Sequence, residues 1–170
     1  MAEGYLIRKL EAVDAEAFRT VRLRGLAEHP EAFTSTVPEW DGPIEKFIDR
    51  IQQAHIVGAF EANTGKLVGH IILATHIAPS LRQRHKCEVW SVFVLPEARG
   101  YNLARRMMEA IIAEGRRQGF LYLKLGVTAG NDKARALYER MGFVHFGTEP
   151  DYKSMPDGGF LDEHFLQLKL

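Results

Sequence analysis

The spacing of apolar residues changes several times along the chain, and each spacing predicts an element. Short apolar or alternating runs predict strands over residues 5–10, 56–61, 66–75, 87–95, 121–127, 143–152 and 160–170. Helical spacing predicts helices over residues 14–28, 43–53, 102–118 and 131–141, with Asp14 and Asn131 as N-terminal caps. Residues 76–84 are predicted to form a loop.

The run from Cys87 to Leu95 is apolar apart from Glu88 and Ser91, which predicts a strand buried on both faces at the centre of the sheet. Pro96 ends it, and a helix and a further strand follow. A strand–helix–strand succession of this kind makes the two strands parallel. The pattern therefore predicts an α/β fold with a mixed sheet. There are no repeats or linker-like stretches, so residues 1–170 are expected to form one domain.

The charges balance, with 22 Lys and Arg against 22 Asp and Glu. No global field favours nucleic acid or an anionic membrane, so neither is an expected partner and any anion site must be local. The N-terminus has neither a basic nor an apolar signal region, and no apolar run reaches the ~18 residues of a membrane span. A cytoplasmic protein is expected.

Cys87 is the only cysteine, which excludes an intrachain disulfide and a thiolate metal cluster. It is predicted to be a buried hydrophobe rather than a nucleophile. His85, His145 and His164 lie on different elements without ligand spacing, so no metal is expected.

A candidate anion site lies where the predicted strand 87–95 turns into the helix that begins near Asn102. Unpaired N–H groups and the positive end of a helix dipole favour an anion such as a pyrophosphate there. By itself this feature is common to many strand-to-helix turns. The glycine spacing matches neither a P-loop nor a dinucleotide fingerprint.

Two motifs give the turn a more specific meaning. The run Arg99-Gly100-Tyr101-Asn102-Leu103-Ala104 resembles the Arg/Gln-x-x-Gly-x-Gly/Ala pyrophosphate loop of the GNAT acyltransferases. The run Asn131-x-x-Ala134-x-x-Leu137-Tyr138-x-x-x-Gly142-Phe143 resembles that family's second cofactor element. The resemblance implies the GNAT fold, with a mixed sheet of about six or seven strands flanked by about four helices. It also implies acetyl-CoA as co-substrate and an amine as acceptor.

Asn102 stands where the family pattern has its central glycine. Asparagine tolerates the left-handed backbone conformation better than most residues, and its amide could cap the helix or donate to a phosphate. Acetyl-CoA binding is therefore expected to survive with altered affinity.

The resemblance also implies the site residues. A backbone N–H near Val92 to Val94 polarises the thioester carbonyl, and Tyr138 protonates the leaving sulfur. The alternative for Tyr138 is aromatic packing, and for Asn131 a cap alone. The implied cofactor-binding residues are Val92, Phe93, Val94, Arg99, Gly100, Tyr101, Asn102, Leu103, Ala104, Arg105, Asn131, Ala134 and Tyr138.

The general base is the least determined role. Glu88 is the first candidate, because burial in an apolar strand would raise its pKa, and strand alternation puts it on the face of Trp90, Val92 and Val94. A structural salt bridge is the alternative. Some family members carry an acid on the following strand, but Gly126 occupies that position here. The run Asp162-Glu163-His164 is interpreted as a polar strand near the pocket.

The acceptor is expected to be selected by the N-terminal helices and by the loops at 33–43 and 76–84. The aromatic residues Phe33, Trp40 and Phe47 are interpreted as core residues, and the alternative is that they line an acceptor pocket. Two alternatives to a transferase stay open. One is a CoA-binding regulatory module of the same fold, and the other is an adaptor that forms a homodimer through its C-terminal strands.

Overall fold

The computed structural model describes residues 4–75 and 80–170, which form a sheet flanked by helices. The strands of this part are β1 (Tyr5–Lys9), β2 (His55–Glu61), β3 (Leu67–Ala74), β4 (Lys86–Val94), β5 (Tyr122–Thr128), β6 (Val144–Ser154) and β7 (Phe160–Lys169). Its helices are α1 (Ala15–Glu28), α2 (Val37–Trp40), α3 (Ile44–Gln53), α4 (Leu103–Arg117) and α5 (Asp132–Arg140). The predicted strands and the four predicted helices are thus confirmed.

The strands form one mixed sheet in the order β1-β2-β3-β4-β5-β7-β6. Neighbouring strands are antiparallel except β4 and β5, which are parallel as predicted. β4 is central in the order, and this too was predicted. α2 was not predicted, although Thr36 and Glu39 form its capping box, in which the Thr36 N–H donates to a carboxylate oxygen of Glu39 at 2.6 Å. Residues 76–79 of the predicted loop lie outside the described ranges.

The parallel pairing is short. Residues Lys86 to Glu88 of β4 pair with Tyr122 to Lys124 of β5, and the pairing of these two strands ends there within the described residues. β5 continues to Thr128 paired only with β7 on its other side. The carboxyl-terminal halves of β4 and β5 therefore bound an open cleft.

A β-bulge interrupts β4 at this cleft. His70 lies opposite Phe93 and Ile72 lies opposite Trp90, so β4 has one residue more than β3 between these pairs. Ser91, inside the bulge, has φ of 53°. Because directly paired residues point to the same face, Glu88 and Trp90 share a face with Phe93.

Two expectations for β4 are therefore wrong. Val92 and Val94 do not share the face of Glu88, because the extra residue reverses the alternation. The strand is also not buried on both faces, since Trp90 is 48% exposed.

Different helices cover the two faces of the sheet. On one face, α4 packs the buried side chains of Leu103, Met107 and Ile111 against the strands, in agreement with the predicted helical spacing. On the other, Phe18 of α1 contacts His70 edge to face, with ring centroids 5.2 Å apart. None of the helices in the described ranges has the length and apolar character needed to span a membrane.

Asp14 precedes α1 as predicted, but its side chain does not cap that helix. The carboxylate instead accepts two hydrogen bonds from Arg8, at 2.7 and 2.8 Å, and one from the Glu11 N–H. The ion pair to β1 has replaced the predicted cap.

Candidate active site

The free edge of β4 directs backbone donors into the cleft. The Leu95 N–H donates to the Val68 oxygen of β3 at 2.8 Å. Because successive N–H groups of a regular strand alternate between its edges, that of Val94 points to the opposite edge, toward β5. Arg99 Nε donates to the Val94 oxygen on that side, at 3.3 Å.

The turn after β4 has the backbone conformation of an anion-binding loop. Gly100 has φ of 92°, and Asn102, the N-terminal cap of α4, has φ of 57° and ψ of 25°. Asn102 therefore adopts the left-handed conformation expected at this position. Its side chain makes no capping hydrogen bond, so its amide is available to a ligand. The first N–H groups of α4 have no partner within the helix either.

A cavity of about 620 Å³ opens at this turn, between α4 and α5. It is lined by Val94, Ala98, Arg99, Gly100, Asn102, Leu103, Ala104, Arg105, Asp132, Lys133, Ala136, Leu137 and Arg140. Four of these residues carry a positive charge and one a negative charge. The cavity thus has a local excess of positive charge, as expected for an anion site in a chain whose overall charges balance.

A second cavity continues along the cleft and contains the rest of the predicted cofactor-binding residues, apart from Tyr101. It brings together Val92, Phe93, Val94, Arg99, Ala104, Asn131, Ala134 and Tyr138. Tyr101 lines neither cavity, and its ring instead packs against that of Tyr5, with centroids 5.0 Å apart and the planes tilted by 51°. The Asn131 side chain caps α5 by accepting from the Ala134 N–H at 3.4 Å, as predicted.

Tyr138 lies on α5, buried beside Phe143 and facing this second cavity. Burial raises the pKa of its phenol, and the charge of Glu163 raises it further. The hydroxyl therefore stays protonated at neutral pH. The ring both packs against the core and borders the cleft, so packing and proton donation are compatible.

A third cavity, of about 440 Å³, lies on the α1 side of the cleft and contains Glu88. The expectation that Glu88 is buried is wrong, because its side chain is 31% exposed. Lys124 Nζ lies 3.5 Å from Glu88 Oε1, and Trp90 Nε1 donates to Oε2 at 3.1 Å. The predicted salt-bridge alternative is thus present. Phe33 and Trp40 line the same cavity, whereas Phe47 is a core residue.

Glu163 is more deeply buried than the predicted base Glu88. Glu163 is only 7% exposed, and its carboxylate covers Gly126, where an added Cβ would lie 2.5 Å from Oε1. Lys153 Nζ is 3.6 Å from Oε2, which makes no hydrogen bond. Burial raises the pKa of Glu163, and the attraction of Lys153 opposes that shift. The only sequence signal is the polar run Asp162-Glu163-His164 in the last strand.

The cysteine and two of the histidines fit structural roles. Cys87 is fully buried as predicted, and burial raises the pKa of its thiol to about 12. His145 and His164 meet through Thr148, at 3.0 and 2.7 Å from its hydroxyl. No group of three or more potential metal ligands occurs in residues 4–75 and 80–170.

Comparison with known proteins assigns the chain to a family. A family model described as the acetyltransferase (GNAT) family matches residues 22–143. Mycothiol acetyltransferase of Thermobispora bispora is 30% identical over 158 residues, which cover 90% of this chain and 51% of the relative. The chain thus spans about half the length of that relative.

Solved structures agree with this assignment. A ribosomal-protein-alanine N-acetyltransferase from Brucella melitensis superposes with a TM-score of 0.80 at 25% identity, covering 97% of this chain and 99% of the other. Salmonella typhimurium yncA, solved with its cofactor acetyl-CoA, superposes with a TM-score of 0.84 at 22% identity, covering 99% of this chain and 95% of the other. The chain belongs to the GNAT acetyltransferase family, as its two motifs indicated.

Proposed function

We propose that this protein is an acetyl-CoA-dependent N-acetyltransferase that acetylates a primary amine by direct attack in a ternary complex. The observation that carries the proposal is the β4–β5 cleft, which is lined by Val92 and by the inward N–H group of Val94 and is open to a basic cavity at the start of α4. Acetyl-CoA bound to yncA supports the choice of acyl donor.

The donor set fits acetyl-CoA in two parts. The backbone amides from Gly100 to Arg105, with the Arg99 and Lys133 charges, would hold the pyrophosphate. The Val92 and Val94 N–H groups would hydrogen-bond along the cleft, and one of them would stabilise the negative charge that develops on the thioester oxygen.

The transfer then needs two proton movements. The amine nitrogen attacks the acetyl carbon, the carbon–sulfur bond breaks, and the sulfur takes a proton from Tyr138. Tyr138 is placed for this role because it lines the cleft and its phenol is protonated at neutral pH.

Glu163 is proposed as the group that receives the proton from the amine, directly or through one water. It is buried in the third cavity, which we call the acceptor-side cavity, and its Oε2 has no hydrogen bond. A raised pKa brings a carboxylate closer to the range of an effective base. Glu88, the base predicted from the sequence, is the second candidate, since it lines the same cavity but is paired with Lys124.

A homodimer through the C-terminal strands is part of the proposal. Val144, Phe146 and Phe160 on β6 and β7 are exposed apolar residues, and β6 is an edge strand. Sedimentation velocity of the wild type and Phe146→Ser would test this, since a monomer in both rejects the dimer. The cytoplasm, where acetyl-CoA is available, is the proposed compartment.

The test of the function is calorimetric titration with acetyl-CoA and desulfo-CoA, followed by a thiol-release screen over mixed amines. Micromolar binding with amine-dependent thiol release is the expected result. Binding without release across a broad amine panel would favour the regulatory module, and failure to bind either ligand would favour the adaptor.

A further inference from the structure

One cation of the acceptor-side cavity has no acidic partner. Arg22, in the middle of α1, is 3% exposed and donates from Nη1 to the Ser91 hydroxyl at 2.6 Å. Its Nε is buried without a hydrogen-bond partner. Within the described ranges, none of the ion pairs involves Arg22, which is unusual because buried arginines are normally paired with acids.

The surroundings of Arg22 are aromatic and cationic. Its guanidinium lies 4.3 Å from the Trp40 ring centroid and 4.9 Å from that of Phe33. Arg50 lies over the same Trp40 ring at 3.7 Å. Burial and the charge of Arg50 lower the pKa of Arg22 to about 9, so it remains charged at neutral pH. The fold therefore retains a desolvated charge that no described residue neutralises.

The β4 bulge fixes this charge in position. The Ser91 hydroxyl that accepts from Arg22 also lies 2.8 Å from Nε2 of His70. His70 is fully buried, and burial followed by the charge of Arg22 lowers its pKa, so it is neutral. Ser91 and His70 thus hold the guanidinium in place through neutral groups, and its positive charge is not neutralised.

Arg22 shares its cavity with Glu88, Lys124, Gly126 and Glu163. Both acids already have a lysine, since Glu88 lies beside Lys124 and Glu163 beside Lys153. The uncompensated positive charge of the cavity is therefore that of Arg22. A ligand that completes the site must bring one negative group.

We propose that Arg22 binds a carboxylate of the acceptor, so that the substrate is a small amine that also carries a carboxylate, of the amino-acid type. This inference rests on the proposed function. The planar guanidinium matches a carboxylate, and the amine of the same molecule would lie toward Glu163, which lines the same cavity. The volume of about 440 Å³ suits a small molecule.

The experiment compares three matched acceptor series with acetyl-CoA: free L-amino acids, their carboxamides, and the corresponding amines without the acid group. For the wild type, we expect kcat/KM for the acids to exceed that for the carboxamides by at least about tenfold. In Arg22→Gln the preference should fall to within about twofold, while the dissociation constant of acetyl-CoA stays unchanged.

Two further variants keep the test decisive. Arg19→Gln, on the same helix but paired with Asp41 near the surface, should keep the preference of the wild type. Arg22→Lys should keep a reduced preference, because it retains the charge without the planar fork. The melting temperature of Arg22→Gln should equal or exceed that of the wild type, since a desolvated charge is removed.

Equal rates for acids and carboxamides in the wild type would overturn the assignment while leaving the transferase intact. So would a preference that persists in Arg22→Gln. Absence of thiol release with every amine is a separate outcome, because it contradicts the transferase itself.

Discussion

The carboxylate of Glu163 occupies the space that a side chain at Gly126 would fill. An added Cβ would lie 2.5 Å from its Oε1. The missing side chain on β5 and the acid on β7 are therefore complementary. Under our proposal, the base that Gly126 cannot provide is therefore supplied by β7, the neighbouring strand.

Gly126→Ala should displace Glu163 without unfolding the protein. The methyl group meets the end of a flexible side chain rather than backbone, so the carboxylate rotates away. We expect kcat to fall by at least about tenfold, measured by thiol release under saturating acetyl-CoA. Gly147→Ala, on β6 with open space around it, is the control and should retain full activity. Unaltered kcat in Gly126→Ala would separate Glu163 from catalysis.

Glu163→Gln should change the pH profile of kcat. A base must lose its proton to act, so activity falls as the pH drops through the carboxyl pKa, and burial places that pKa above its ordinary value. The glutamine variant should lack this acidic limb, and its kcat should be about 100-fold lower than that of the wild type. Glu88→Gln is the comparison. If that variant, and not Glu163→Gln, loses the limb, Glu88 is the base.

Tyr138→Phe removes one hydroxyl and keeps the ring that packs on Phe143. We expect kcat to fall by about 100-fold, with the acetyl-CoA dissociation constant within about twofold of the wild type. Calorimetry and thiol release measure the two quantities separately. Normal turnover, or a lowered melting temperature in place of lowered turnover, would reduce Tyr138 to a packing residue.

Substitutions of Asn102 can distinguish the role of its left-handed backbone conformation from the role of its side-chain amide. Asn102→Gly keeps the left-handed turn but removes the free amide, so acetyl-CoA should bind about threefold to tenfold more weakly. A change of less than about twofold would show that the amide does not touch the phosphates. Asn102→Ala should also destabilise the fold by about 1 to 2 kcal/mol, because alanine is disfavoured at a φ of 57°. Denaturant unfolding distinguishes the two variants.

Local patterns predicted the elements and the cofactor turn, because helices, caps and turns depend on neighbours in the chain. The strand 87–95, the helix after Asn102 and the cap at Asn131 are all of this kind. The bulge at Ser91 is not, since it appears only when β4 is aligned with β3. The meeting of Glu163 with Gly126 also depends on the β5–β7 register, which one sequence does not specify.

The bulge in β4 separates two kinds of molecular recognition along one strand. Beyond it, the strand presents main-chain groups, which every amino acid shares, to the cleft proposed for acetyl-CoA. Before and within it, Glu88, Trp90 and Ser91 present side chains to the cavity proposed for the acceptor. Substitutions there can alter the choice of acceptor while the donor contacts persist. The strand thus allows new substrate preferences to evolve around an unchanged acyl donor.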